Sequence, residues 1–370
     1  MNAPLRVAFI SRATVYSSPG GDTKQMDATA EALRQLGVRV DIFPTDQLPD
    51  YGQYDLLHFF NIIRPADILN HIEKSGLPYV VSTIFVEYGA FEKKNVSFFR
   101  KTLSRFLSDD GIEYIKALAR HFKNGEKIKS RTYLLSGHAR SVRKVAEGAL
   151  ALLPNSESEY RRFVARYGVE KPYRVIPNGI NASAATEVRA KVSQYEGTVL
   201  CMARIEPRKN QLALIRALSG TELTLFIHGQ ASPNHAAYYE ACRREAGPNI
   251  HILPWIREEE KIYQIYASAK VHALPSHFET TGLSSLEAAA MGCNVVVTDR
   301  GDVRDYFADH AWYCDPDQVA SIREAVLEAH AAPYEPQFRQ HILHRYTWQR
   351  AGEETLKAYR DALPHLFQKA

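Results

Sequence analysis

Cysteine is scarce in this 370-residue chain: Cys201, Cys242, Cys293 and Cys314 stand far apart. No two make a CxxC pair, which excludes a disulfide scaffold, a zinc ribbon and a thioredoxin-type site and fits a reducing cytoplasm. Long apolar runs are missing as well. None approaches the roughly 18 residues that cross a bilayer. The opening MNAPLRVAFI reads as a first buried strand rather than a signal peptide. Charge of one sign is also in short supply, since 46 Lys and Arg against 42 Asp and Glu leave only +4. With no nucleic-acid module either, nucleic acid is not an expected partner. The 14 histidines form neither HExxH nor another spaced ligand set, so no metal is expected. GxSxG and the P-loop pattern are absent, which argues against a hydrolase of that class and a P-loop NTPase. What is present, 45% hydrophobic and 24% charged residues, is the balance of an ordinary globular chain. At roughly 150 residues per domain, the length gives two domains.

The small net charge is unevenly spread. Residues 1–178 hold 26 basic and 19 acidic residues, and 179–370 hold 20 and 23. Most of the excess lies in 92–147, with 14 basic and 6 acidic residues. There Phe98, Phe99, Ile112, Tyr114 and Ile115 interleave with Arg100, Lys101, Arg105, Lys116 and Arg120. A basic amphipathic region is the mark of an anionic membrane surface or an acidic partner. A solvated helix face over a buried apolar side reads the same way.

Both halves of the chain share one rhythm. Short apolar runs at 7–10, 38–43, 56–60 and 79–83 alternate with a helical pattern at 22–36. After the basic insertion a strand is expected at 149–154 and a helix at 158–167, and Pro177-Asn178-Gly179 marks a turn. The second half gives strands at 198–202, 223–228, 250–253, 271–274 and 294–298. Helices are expected at 212–218, 238–245, 259–267 and 283–291, with a final one at 349–367. Strand–helix alternation implies parallel sheets covered on both faces. The expected fold class is therefore α/β, with two doubly wound domains, 1–178 and 179–348, the last helix packing back on the first. A ligand is expected beyond the carboxyl ends of the strands, in the cleft between the domains.

Three segments carry the polar residues that could do chemistry. In 274–301 a strand ends at Leu274, a loop holds His277 and Glu279, and a helix opens after Gly282. A glycine loop at a helix N-terminus offers free N–H groups and the positive dipole end, a ready phosphate site. Glu279 before that helix and Glu287 on its second turn can accept hydroxyl groups of a sugar and a ribose. The plainer reading makes Glu279 a complement to the dipole and Glu287 a helix-surface residue. The second segment, 201–210, places Arg204, Arg208 and Lys209 after a strand, where cations can clamp a diphosphate. The third is Ser18-Pro19-Gly20-Gly21-Asp22-Thr23 between the first strand and first helix. Its glycines permit close approach of a ligand, but it is not GxGxxG, and a nicotinamide dinucleotide is not indicated.

Taken together, these motifs resemble the retaining GT-B glycosyltransferases of family 4, the glycosyl transferases group 1. The family's Glu-x7-Glu is matched by Glu279 and Glu287, its Arg-x4-Lys clamp by Arg204 and Lys209, its hinge by Pro177-Asn178-Gly179, and its first glycine loop by Gly20-Gly21. The resemblance implies a GT-B architecture, two Rossmann-like domains facing a central cleft. It implies a retaining, metal-independent hexosyltransferase without a cofactor, whose donor substrate is a nucleotide sugar, GDP-mannose first and a UDP-sugar second. Arg204, Lys209 and Glu279 are the catalytic residues it implies. Gly20, Gly21, Gly282, Leu283 and Glu287 would bind the donor, with His277 beside them. The N-terminal domain would hold a saccharide or lipid-linked acceptor, in cell-surface polysaccharide assembly at the inner face of the membrane. A soluble glycoside synthase or phosphorylase, and a silent sugar-nucleotide-binding subunit, share these features. One departure stands out. Phe85 occupies the place of a family histidine after the fourth strand, leaving Glu87 or Tyr88 as substitutes.

Overall fold

The computed structural model describes residues 4–86, 110–111, 114–115, 130–187, 190–231 and 233–367. Much of the basic stretch 92–147, with Glu87 and Tyr88, lies outside them. The chain forms two compact units, Met1–Pro177 with Trp348–Ala370, and Asn178–Thr347. Among the described residues no helix is long and apolar enough to cross a membrane.

The N-terminal unit is built on a parallel sheet of β1 (Arg6–Ser11), β2 (Arg39–Pro44), β3 (Leu56–Phe60) and β4 (Tyr79–Ser82), in the order β2-β1-β3-β4. Val7–Ile10 and all of β3 and β4 are buried. This is why they read as unbroken apolar runs rather than alternating ones. Ile10 stands opposite Phe43 on one side and Phe59 on the other. Because β1 has β2 and β3 on opposite flanks, the connections diverge at its carboxyl end. There the chain enters α1 (Gly21–Gln35). The other helices of this unit used below are α2 (Pro65–Ser75), α3 (Arg131–Gly148) and α4 (Glu157–Tyr167).

Residues 149–154, expected as a strand, are bridged rather than laddered. Leu152 pairs in parallel with Val81 and with Tyr173, and the run ends at Pro154, which has no amide to donate. The last expected helix also differs. It is broken at Leu363 into Trp348–Ala362 and Pro364–Phe367, because Pro364 lacks an N–H and disfavours helix in the residue before it. Trp348–Ala362 packs on α1, and the two backbones approach so closely that a Cβ on Gly352 would lie 2.5 Å from that of Ala32. His58 of β3 fastens the same helix. Its Nδ1 meets the Tyr359 hydroxyl at 2.6 Å and its Nε2 the Ser82 hydroxyl at 2.8 Å. Burial pulls the His58 pKa down to about 3, so the ring is neutral, donating to one hydroxyl and accepting from the other.

The C-terminal unit carries a six-stranded parallel sheet: β5 (Val199–Met202), β6 (Leu225–His228), β7 (Ile250–Leu253), β8 (Val271–Leu274), β9 (Asn294–Thr298) and β10 (Trp312–Cys314). Their order is β10-β9-β8-β5-β6-β7. All four cysteines are free and buried here. β5 and β8 are neighbours at the centre, and the connections again diverge there. The loops after them hold the residues singled out above. The helix after β8, α5 (Leu283–Met291), is buried along most of its length and opens at Gly282 in the left-handed conformation, φ +66°.

Candidate active site

The carboxyl edge of the C-terminal sheet brings Lys209 and Glu279 into contact. Lys209 Nζ lies 2.5 Å from Glu279 Oε2, and the Ser276 hydroxyl donates to the same oxygen at 3.1 Å. The two charged side chains are only 14% and 8% exposed. Burial pushes the Glu279 carboxyl up, but Lys209, then Arg208, and the bonds from Lys209 and Ser276 outweigh it, and the group stays below the usual range. Burial pulls the Lys209 ammonium down. The pair is a preassembled, mostly buried cation and anion, screened less than a pair at the surface.

Two arginines share the loop with Lys209, and they differ. Arg208 donates to the Phe278 carbonyl at 3.3 Å and to Glu206 at 3.1 Å. Arg204 stands half-exposed, 3.9 Å from the same Glu206. The carboxylate of Glu206 thus holds Arg208 by a hydrogen bond, while Arg204 stands beyond hydrogen-bond distance. Arg208 and Glu206 stand beside the pair, and both act on the charge of Lys209, although the motif match stops at Arg204 and Lys209.

The backbone of Glu279 is fixed by the loop after β9. Its amide donates to the Arg300 carbonyl at 3.3 Å, and its carbonyl accepts the Asp302 amide at 2.9 Å. Between them Gly301, at φ +100°, lies so close that a Cβ there would sit 2.0 Å from the Glu279 oxygen. Only glycine permits this approach. On the other side Gly282 lies against Glu279, since a Cβ on it would meet the Glu279 Cγ at 3.4 Å. Gly282 and Leu283 form the start of α5, with its unpaired N–H groups. Glu287, one turn further on, is 7% exposed. It is therefore a buried carboxylate and not the helix-surface residue of the plainer reading. Burial first, and then its charge, push the Tyr263 and Tyr266 hydroxyls up. His277 sits 3.3 Å from Asp317, and its amide donates to the Arg208 carbonyl at 2.9 Å.

The N-terminal unit's edge is arranged differently. Gly20 caps α1 in an extended conformation, and its amide donates to the Thr23 hydroxyl at 3.1 Å. Arg12 binds Asp22 at 2.6 Å and the Thr14 and Ser18 carbonyls, closing the loop that leads to Gly20 and Gly21. Phe85 is 3% exposed and packs edge-on against Phe163 and at a steep angle to Tyr167. Its ring is core, and it does not take over a polar role.

The residue that the sequence reading passes over is Glu159. Fully buried, it accepts the Phe85 amide at 2.9 Å, the Asn155 amide at 3.0 Å and the Thr83 hydroxyl. These bonds clamp Ile84, which is held at φ +45°, a strained value for a β-branched residue. Gln25 of α1 and Asn155 exchange amide bonds at 2.7 and 3.0 Å. The available signal was Ser156-x-x-Glu159, a capping-box spacing before a helix.

Comparison with known proteins gives a family match in the C-terminal unit. The family described as glycosyl transferases group 1 matches residues 186–342, which span the charged edge. The chain carries a glycosyl transferases group 1 domain. The serotype-specific mannosyltransferase WbdA of Escherichia coli is 27% identical over 195 residues, 50% of this chain and 23% of that protein. The D-inositol 3-phosphate glycosyltransferase of Nocardia farcinica is 27% identical over 180 residues, 43% of this chain and 40% of that enzyme. The chain thus spans less than half the length of these relatives. Among solved structures, a sucrose-phosphate synthase from Thermosynechococcus elongatus superposes with a TM-score of 0.71 at 15% identity, covering 98% of this chain and all of that one. Anabaena HepE, solved with UDP and glucose, gives 0.68 at 14% identity over 96% of this chain and all of HepE. The fold of the chain is accordingly GT-B, with two doubly wound units.

Proposed function

We propose that this group 1 glycosyltransferase moves a hexose from a nucleotide sugar to a saccharide or lipid-linked acceptor, with retention of anomeric configuration and without a metal. The observation that carries the reading is the buried Lys209–Glu279 pair at 2.5 Å, beside the free N-terminus of α5. A diphosphate entering there exchanges the Glu279 carboxylate for its own oxygens on Lys209. Arg204 and the Gly282 and Leu283 amides add donors, so the leaving charge develops among preorganised dipoles. Glu279, released from Lys209, accepts donor-sugar hydroxyls, and Glu287 accepts those of the ribose. His277 lines the same loop. In the N-terminal unit the edge that holds the Gly20-Gly21 turn takes the acceptor. Retention follows from attack on the donor's leaving-group face, with a phosphate oxygen taking the acceptor proton.

The mannosyltransferases among the relatives favour GDP-mannose as donor, with a UDP-sugar second. WbdA and an O-antigen chain mannosyltransferase of E. coli favour a role in surface polysaccharide assembly. The test is incubation of the purified protein with GDP-mannose and candidate mannosyl acceptors, followed by proton NMR of the product. An α-linked mannoside with release of GDP is the expected result. A β-linked product overturns retention. Loss of activity in EDTA overturns metal independence.

A further inference from the structure

Arg300 lies outside the motifs of the donor site, yet the structure ties it to that site twice. Its carbonyl accepts the Glu279 amide at 3.3 Å. Its Nη2 meets two carboxylates at once, Asp315 Oδ1 at 2.7 Å and Asp317 Oδ2 at 2.9 Å. The other oxygen of Asp317 lies 3.3 Å from His277 Nδ1, two residues before Glu279. The path from the Glu279 amide through Arg300, Asp317 and His277 returns along the chain to Glu279, and so closes a ring around the loop. Asn210 joins the Lys209 side to the same fastening, donating to the Pro316 carbonyl at 2.7 Å.

The Arg300 ion pairs are roughly a third exposed, and taken singly such pairs contribute little to stability. Their arrangement matters for a different reason. When a donor draws Lys209 onto its diphosphate, Glu279 loses the partner that holds its carboxylate. The loop must keep its place during that exchange, because a misplacement of about 1 Å at a reacting centre costs roughly 10²-fold in rate. We propose that Arg300 is a positioning residue of the donor site, acting through Asp317 and His277 to hold the Glu279 loop while Glu279 exchanges Lys209 for the donor. This rests on the reading of the site given above.

The test is steady-state hydrolysis of GDP-mannose, followed as GDP release, by the wild-type protein, Arg300→Gln, Arg300→Lys, Asp317→Asn and the double variant Arg300→Gln/Asp317→Asn. Arg300→Gln is expected to lower kcat about tenfold, with a smaller change in KM and an unchanged unfolding midpoint. One ammonium can meet both carboxylates as the single Nη2 does, so Arg300→Lys is expected to restore most of the rate. Residues acting as one unit are non-additive, so the double variant is expected to be no slower than Arg300→Gln alone. Wild-type kcat in Arg300→Gln, additive losses, or a failure of lysine to rescue overturns the proposal and leaves the function standing. A wild-type protein that neither hydrolyses nor binds GDP-mannose or any UDP-sugar overturns both.

Discussion

The two units each end in a parallel-sheet edge with a glycine opening a helix, and each edge holds a buried glutamate. The glutamates are held differently. Glu279 takes one lysine and one hydroxyl, both on the same oxygen. Glu159 takes two backbone amides and a hydroxyl, spread over both oxygens. Side-chain partners such as Lys209 can swing onto a ligand, whereas backbone amides cannot leave without unfolding a turn. A buried carboxylate at a strand end is therefore not in itself a sign of chemistry; the mobility of its partners decides. By that criterion the C-terminal edge is poised for exchange and the N-terminal edge is locked.

The largest effect should come from breaking the first pair. Lys209→Met and Glu279→Gln are each expected to lower turnover ~10²-fold or more, as loss of a transition-state contact does. Each also strands a buried charge, which costs about 3–5 kcal/mol. The double variant should recover much of that stability and none of the turnover, as melting and GDP-release assays would show. Glu159→Gln should do the reverse. It should cost stability, roughly 1.5–3 kcal/mol for a charged hydrogen-bond set, with donor affinity measured by calorimetry unchanged. An equal loss of donor affinity would erase the contrast between the edges.

Gly301→Ala should come next. Its methyl group meets the Glu279 carbonyl at 2.0 Å and the backbone sits at φ +100°, so Glu279 must shift. Turnover is expected to fall about tenfold or more, while the fluorescence-detected melt moves by only a few degrees. Wild-type turnover would show that the backbone position of Glu279 is not critical.

The comparison also sharpens through pH. His58 in one unit and His272 in the other are both pulled down to about 3 by burial, with Lys209 adding to it at His272. Unfolded, each titrates near 6.5. Between those values the unfolded chain binds the protons and the folded one does not. Stability is therefore fully present above about pH 6.5 and declines as pH falls toward 3, by about 1.4 kcal/mol per pH unit for each histidine. Calorimetry from pH 8 to 4.5 should show that decline, and His58→Gln should reduce its slope by about one proton. A flat profile would mean the histidines titrate when folded.

Much of the frame was legible because buried parallel strands are bare apolar runs. Those at 56–60, 271–274 and 294–298 are buried from end to end, while the edge run 250–253 is buried only at Ile250. Lys209 and Glu279 were legible because each follows a strand at a loop that opens a helix. Pro65–Ser75 carries its own marks, a proline in its first turn and Gly76 as a left-handed cap, but the reading left it unmarked. Glu159 and Arg300 were not legible, since their meaning depends on distant partners. Thr83 is 76 residues from Glu159, and Asp317 is 17 from Arg300. Nor does sequence say that Phe85 turns into the core.

The most direct measurement is a thermal-shift panel of GDP-, UDP-, ADP- and dTDP-sugars against the wild-type protein and the Lys209→Met/Glu279→Gln variant. A ligand that binds only the folded state raises the melting midpoint by mass action. The account predicts a clear shift with one donor in the wild type that is lost in the variant. An equal shift in both proteins, or none with any donor at millimolar concentration, would contradict the claim that the Lys209–Glu279 edge is a nucleotide-sugar site.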